Sequence, residues 1–346
     1  MEKSLRNQTN HLPYDEVVML HDHPYPESTD DELFNIALAK DLGAIIRTLG
    51  VETTCLAFCD SSLDILRRKK TKGDNFVVFN LVENVERKPE WQPRAMQALE
   101  DIGVAFTGTS AEQLLACDAD KFRMKESLLA RGLPTPLWAT RNHIKPLYTE
   151  SGPWLVKSAL YHGSFNIRQD SISEDPAYLL SLMQRYEDAH GGLWFAEQFL
   201  DGREFYIGLI GRKGEKPYQL PVAEVVYDQE FFSQGRYALL TEDGKWDEDG
   251  SEFRAIRTTF DSLRQERELE QILQDMAERC WLAMDLNGYA RIDFRADRDG
   301  RPYILEINTN PYLGINDSYI FQPAASAGLS VADVLEKIIL CAHGAK

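Results

Sequence analysis

Between Gly288 and Asn316 the chain reads GYARIDFRADRDGRPYILEINTNPYLGIN, and this run narrows the fold more than any other. Tyr289 to Arg295 alternates apolar and polar residues, Asp299-Gly300 is a hairpin-type turn, and Pro302 to Asn308 returns. Side chains alternate along a strand, so Arg291, Asp293 and Arg295 share one face and Ala290, Ile292 and Phe294 the other. On the return strand Ile304, Glu306 and Asn308 are expected on one face, against Leu305 and Ile307. Two carboxylates and an amide then converge across neighbouring strands beside an arginine. Hard oxygen ligands of this kind suit Mg²⁺, which binds through one or two carboxylates and substrate phosphates. A hairpin can carry such a face merely as its solvated side. The turn-rich Asn308-Thr309-Asn310-Pro311-Tyr312-Leu313-Gly314 adds polar groups at the strand end and weighs against that.

A chain of 346 residues is long for a single core and suits two or three lobes. Its net charge of −17 argues against a nucleic-acid partner, which needs a basic surface. It does not exclude ATP, because a few lysines and Mg²⁺ set a local field against the global one. The five cysteines, Cys55, Cys59, Cys117, Cys280 and Cys341, are odd in number and lack zinc spacing, which points to reduced thiols. No apolar signal core opens the chain and no run approaches a membrane span, so a cytoplasmic protein is expected, with no membrane partner.

Residues 15 to 109 alternate strand and helix. Val17-Val18-Met19-Leu20, Val51 to Phe58, Phe76 to Leu81 and Val104 to Gly108 read as strands. Asp30 to Leu49, Ser62 to Lys72 and Pro89 to Ile102 read as helices, and the alternation predicts a mostly parallel sheet. No GxGxxG and no P-loop lysine follows the first strand. Asp118 to Gly132 reads as a helix carrying Lys121 and Lys125, and Pro134 and Pro136 mark a linker. Trp154-Leu155-Val156-Lys157 is an apolar strand delivering one lysine, and a lysine so placed asks for an anion. His162-Gly163-Ser164-Phe165-Asn166-Ile167 is a short loop whose backbone N–H groups can cover phosphates. Leu193 to Leu200 is an apolar strand containing Glu197, followed by Asp201-Gly202-Arg203-Glu204. Tyr237 to Phe253 is polar, contains Lys245-Trp246, and reads as a mobile cover. Arg267 to Leu286 and Ser330 to Ala342 are amphipathic helices.

Taken in order, RIDF…LEINTNP, DK…K…GLPTP, VKSA…HGS and EQFLDGREF resemble the D-alanine–D-alanine ligase family of the ATP-grasp superfamily. The resemblance implies an α/β ATP-grasp fold. An N-terminal parallel α/β lobe at 1–120 would precede a central lobe at 121–200 and a C-terminal lobe at 201–346, the last two sandwiching ATP. It implies ATP-dependent ligation of a carboxylate to an amine through an acyl phosphate, with small-molecule substrates, amino acids among them, and allows a homodimer. Asp293, Glu306 and Asn308 would hold two Mg²⁺, or Mn²⁺ in their place. Arg291 would stabilise the transferring phosphoryl group, Lys121 and Lys157 would grip the phosphates, and Ser164 would cover the γ-phosphate. Lys245 would reach in from the cover, with Arg236 as the competing register, and the N–H near Gly314 would face the acyl oxyanion. The hinge Glu197, Gln198, Phe199 and Leu200 would meet the adenine edge through its backbone, and Glu204 the ribose.

One departure stands out. The family carries a Gly- and Ser-rich loop after the first strand, with a glutamate for the first substrate's amine; this chain has His21-Asp22-His23-Pro24-Tyr25-Pro26. Asp22, Glu27, Glu32 or Glu83 would have to substitute, and D-Ala-D-Ala is not expected as the product. Asp317-Ser318 adds an acid where the second subsite is expected. An amino-acid ligase is the favoured class; a ligase for a non-amino-acid carboxylate and a non-catalytic ATP-binding module are the alternatives. The intact Asp293, Glu306, Asn308 and Arg291 set speaks against the last.

Overall fold

The computed structural model describes residues 12–24, 30–83 and 91–344. Its first sheet is parallel, with strands β1 (Glu16–His21), β2 (Glu52–Ala57), β3 (Phe76–Asn80) and β4 (Ala105–Phe106) in the order β2-β1-β3-β4. The apolar runs read above form these strands because both faces are covered. Val17, Met19, Val77 and Phe79 pack against Leu38, Leu42 and Ile46 of the helix Asp30–Arg47. Val18, Leu20 and Val78 pack on the other side with Leu63, Leu66, Met96 and Leu99. The helix Val331–Leu340 returns to the first of these faces, where Val334, Leu335 and Ile338 complete the cluster. Strand order reverses at β1, so the crevice at the carboxyl ends of β1 and β3 is the place where such a sheet presents a ligand site.

The second sheet is antiparallel: β5 (Trp138–Ala139), β6 (Trp154–Ser158), β7 (Ile172–Ser173) and β8 (Trp194–Gln198), in the order β5-β8-β6-β7. Trp154, Val156, Trp194 and Ala196 face Leu179, Leu182 and Met183 of the helix Pro176–His190. By alternation Lys157 and Glu197 lie together on the opposite face.

The third sheet comprises β9 (Glu204–Gly211), β10 (Tyr218–Gln219), β11 (Ala223–Tyr227), β12 (Ile256–Thr259), β13 (Gly288–Ala296) and β14 (Pro302–Asn308). They run β12-β11-β9-β13-β14, with β10 on β9. Ile207, Leu209, Ala290, Ile292 and Phe294 bury against Leu273, Ala277, Cys280 and Trp281 of the helix Arg267–Ala283. The segment after β4 and the start of β13 meet backbone to backbone. A Cβ on Gly288, whose φ is +78°, would stand 2.7 Å from the nitrogen of Gly108.

Three expectations change. The hairpin contains a β-bulge after Asp293: Asp293 pairs with Glu306 but Phe294 with Ile304, leaving Leu305 as the extra residue. Ile304 therefore joins Ile307 in the core, and does not share a face with Glu306 and Asn308. The helix expected over 118–132 is the single helix Lys121–Ala130; it starts later because Asp120 caps it by accepting from the N–H groups of Phe122 and Arg123, and a separate helix, Ala111–Cys117, precedes it. The cover at 237–253 contains two short helices, Glu242–Trp246 and Ser251–Ala255. Pro89, Tyr25, Pro26 and Glu27 lie outside the described residues, as does the side chain of Glu32. The five thiols are free, and no described helix is long and apolar enough to cross a membrane.

Candidate active site

The polar face of β13 and β14 is the floor of the site. Asp293 accepts from Arg291 Nε at 2.6 Å and Nη2 at 2.7 Å, and from Asn308 Nδ2 at 3.1 Å. The Arg291 guanidinium lies over the rings of Tyr206 and Tyr319, at 5.0 and 5.3 Å. Burial, reinforced by Glu306 and Glu204, lifts the Asp293 carboxyl to about 6 against the pull of Arg291.

Glu306, directly across from Asp293, meets different partners. Its Oε1 is 3.1 Å from Lys121 Nζ and 2.9 Å from His162 Nδ1. Burial alone would raise this carboxyl, but Lys121, His162 and Lys157 hold it well below the usual range. Lys121 also donates to the Tyr161 carbonyl at 2.8 Å. The far nitrogen of His162 is 3.4 Å from Asp118, whose other oxygen accepts from the N–H and hydroxyl of Thr309.

Lys157, the hinge residues and Glu204, all expected to meet a nucleotide, lie on β6, β8, β9 and the segment between the last two. Lys157 Nζ lies 2.6 Å from Glu197 Oε1, and the other Glu197 oxygen pairs with the buried Lys125. Of the hinge backbone, the N–H groups of Gln198 and Phe199 are given to Leu137 and Pro153 carbonyls. The Leu200 carbonyl accepts from Arg295. The Leu200 N–H is the hinge donor left without a partner among the described residues. Glu204 accepts from Arg295 Nη1 at 2.7 Å and from the Tyr206 hydroxyl. Arg295 further donates to the Ala238 carbonyl and stacks on Phe199 at 4.4 Å, tying hinge, β9 and cover together.

The cover is clasped to the loop that follows β6. Trp246 Nε1 donates to the Gly163 carbonyl at 2.9 Å, Glu242 N–H to Ile167 at 2.9 Å, and the Glu242 carboxylate accepts from Asn166 N–H at 3.1 Å. Ser164, with φ +62°, forms the turn that lies beneath. Lys245 sits in the field of the site: burial and then Arg291 lower its ammonium to about 8, while Asp293, Glu306 and Glu204 oppose them. Arg236 instead pairs with Glu252 and packs over Phe231. Of the two, Lys245 is the one whose ammonium feels Arg291, Asp293 and Glu306.

At the crevice of the first sheet, Glu83 N–H donates to Asp22 Oδ1 at 3.1 Å, and Asn35 Nδ2 lies 3.4 Å from Asp22 and 3.5 Å from Glu83. Burial, then the Asp22 charge, pushes Glu83 up to about 7. Gly314 is packed so closely that a Cβ would fall 2.1 Å from Asp317 Oδ1 and 2.4 Å from the Tyr312 ring. Only a glycine brings the backbone this near.

The pattern reading missed the contacts of Asp118, His162, Lys125, Tyr206, Tyr319 and Arg295. For Arg295 a signal existed, since it lies two and four residues beyond Asp293 and Arg291 on one strand face.

A family model, described as the D-ala D-ala ligase C-terminus, matches residues 149–340. The chain belongs to the D-alanine–D-alanine ligase family. It is an ATP-grasp protein and an ATP-dependent carbon–nitrogen ligase. Among relatives of this ligase, the D-alanine–D-alanine ligase of Laribacter hongkongensis is 28% identical over 250 residues, 71% of this chain and 73% of its own. That of Neisseria gonorrhoeae is 26% identical over 310 residues, 82% and 92% of the two chains. The fold of D-alanine–D-alanine ligase from Bacillus anthracis, solved with ATP, superimposes with a TM-score of 0.70 at 19% identity, covering 94% of this chain and 96% of that one. The VanG D-Ala:D-Ser ligase of Enterococcus faecalis gives 0.67 at 16% identity, covering 94% and 98%.

Proposed function

We propose that this ligase activates the carboxylate of one amino acid with ATP and passes it to the amine of a second, and that Arg291, Lys121, Lys157, Lys245, Asp293, Glu306 and Asn308 carry the chemistry. The observation behind the reading is the convergence of both strand-borne carboxylates with these cations on one partly buried face. A carboxylate is a poor electrophile because its oxygen leaves badly. Transfer of the γ-phosphoryl group to that oxygen gives an acyl phosphate; the amine then attacks the acyl carbon and phosphate departs. Such chemistry needs positioning and charge stabilisation more than covalent help.

Arg291 spends two of its five N–H groups on Asp293, leaving three for the oxygens of the transferring phosphoryl group. Lys245, lowered only to about 8, remains charged near neutrality and would add a second cation from the cover. Lys157 and Lys121 would hold the polyphosphate, with the turn around Ser164 closing over it. The Leu200 N–H would meet the adenine edge and Glu204 the ribose hydroxyls. The backbone at Gly314 would face the acyl oxygen.

Asp293, Glu306 and Asn308 fit Mg²⁺ as a donor set. The two carboxylates pair directly across β13 and β14, and Asn308 gives only its Nδ2 to Asp293, which leaves its carbonyl oxygen as a ligand. When bound, Mg²⁺ would neutralise phosphate charge.

In this reading the amine of the first substrate meets Asp22 and Glu83 rather than a glutamate of the first loop. A screen of ADP release over D- and L-amino acids, singly and in pairs, tests the proposal. Amino-acid-dependent ADP release is expected, and a chain that releases none with any pair would overturn it.

A further inference from the structure

Lys125 follows Lys121 by four residues on the helix Lys121–Ala130, so both side chains leave the same side. Their fates differ. Lys121 reaches Glu306, whereas Lys125 turns into the interior and is 0% exposed. Its Nζ lies 2.9 Å from Thr135 Oγ1 and 3.1 Å from the Pro136 carbonyl, and it pairs with one oxygen of Glu197. Two of its three N–H groups go to Thr135 and Pro136, and the charge of the ammonium is met by Glu197 as an ion pair. Fully buried among these groups, Lys125 is not placed to touch a ligand.

The second Glu197 oxygen is 2.6 Å from Lys157 Nζ, the one ion-pair partner of that ammonium among the described residues. The strand register puts the two side chains on one face, Lys157 beside Phe195 and Glu197 beside Leu155. The buried set is thus two cations sharing one anion. With Glu197 facing Lys157 alone, the pair would be neutral and the carboxylate would grip the ammonium with both oxygens.

We propose that Lys125 is a positioning residue for the nucleotide: by engaging half of the Glu197 carboxylate, it leaves Lys157 an excess positive charge and two N–H groups for the polyphosphate. The inference rests on the ATP reading above and adds a residue that touches no part of ATP. Glu197 becomes the shared anion between two lysines, a different part from an adenine contact. Burial lowers Lys125 to about 8 against the pull of Glu197. Burial would raise Glu197, but the two lysines together hold it below its ordinary value.

Calorimetric titration of the full chain with a non-hydrolysable ATP analogue, and separately with adenosine, tests this. K125M is expected to weaken the ATP analogue by about tenfold to a hundredfold, the range of a hydrogen bond to a charged group, while adenosine affinity is unchanged. Adding E197Q removes the anion that would otherwise seize Lys157, so K125M/E197Q is expected to regain most of the lost affinity. Should K125M fail to fold, the double variant, which buries no unpaired carboxylate, carries the comparison and is expected to bind the analogue nearly as the wild type does. Equal losses for analogue and adenosine, a loss that E197Q does not restore, or wild-type binding by K125M would overturn the inference. A wild-type chain that binds neither ligand strikes the ATP reading itself, and is recognised without any variant.

Discussion

Replacing Arg295 by methionine keeps the reach of the side chain and removes its guanidinium. That group is 3% exposed and holds Glu204 by a 2.7 Å ion pair, together with the carbonyls of Leu200 and Ala238. The variant leaves Glu204 buried, with the Tyr206 hydroxyl as its remaining partner. Breaking a buried pair by removing one partner destabilises by about 3–5 kcal/mol. The two carbonyls that lose a donor push toward the upper end, since each unsatisfied group adds about 1–3 kcal/mol when water cannot reach it. Against a typical total of about 5–15 kcal/mol, the chain should still fold, with its margin much reduced. Urea unfolding followed by tryptophan fluorescence reads the change as a lower midpoint. R295M/E204Q should recover part of the loss, because no charge is then left unpaired. A fall below about 1 kcal/mol, the worth of an exposed ion pair, would refute the view that this arginine knots hinge, sheet and cover.

Glu306→Gln is expected to abolish substrate-dependent ADP release while the fold persists; near-normal release at saturating Mg²⁺ would remove Glu306 from the metal set. Glu83, at about 7 when folded against 4.5 as a free side chain, binds more protons in the folded state between these values. Its contribution to stability is therefore full below about 4.5 and lost as pH rises through about 7. Glu83→Gln should flatten the decline in melting temperature between pH 5 and 8, and an unchanged slope would contradict the raised Glu83 carboxyl. With D-alanine as sole amino acid and ATP, product analysis is expected to show D-Ala-D-Ala forming less well than another amide in the screen, and efficient formation would restore the family's usual first subsite.

The strands of the first sheet were legible because runs such as Val17–Leu20 and Phe76–Phe79 are apolar on both faces, which suits a sheet covered twice. The hairpin was legible from its alternation and its Asp299-Gly300 turn. Its bulge was not: one extra residue at Leu305 inverts the parity of everything before it, and nothing in the composition of PYILEIN marks the place. The start of the helix Lys121–Ala130 was legible from Asp120, an N-cap residue ahead of Lys121. The ties of Glu306 to His162 and of Thr309 to Asp118 join positions 144 and 191 apart in the chain. Side-chain period tells which face a residue takes, and only the packing of one sheet over another tells what it meets there.

The helix Val331–Leu340, which seals one face of the first sheet, has a consequence for the order in which the protein is made. More than two hundred residues separate it from β4, so the ribosome delivers all four strands of that sheet long before the helix that covers them. At about 5–20 residues per second the gap is roughly 10–50 seconds. During it Val17, Met19, Val77 and Phe79 are shielded on that side mainly by the helix Asp30–Arg47. The lobe begun first is thus the one finished last, and the nascent chain carries a sticky, half-dressed sheet that invites a chaperone until the closing helix emerges.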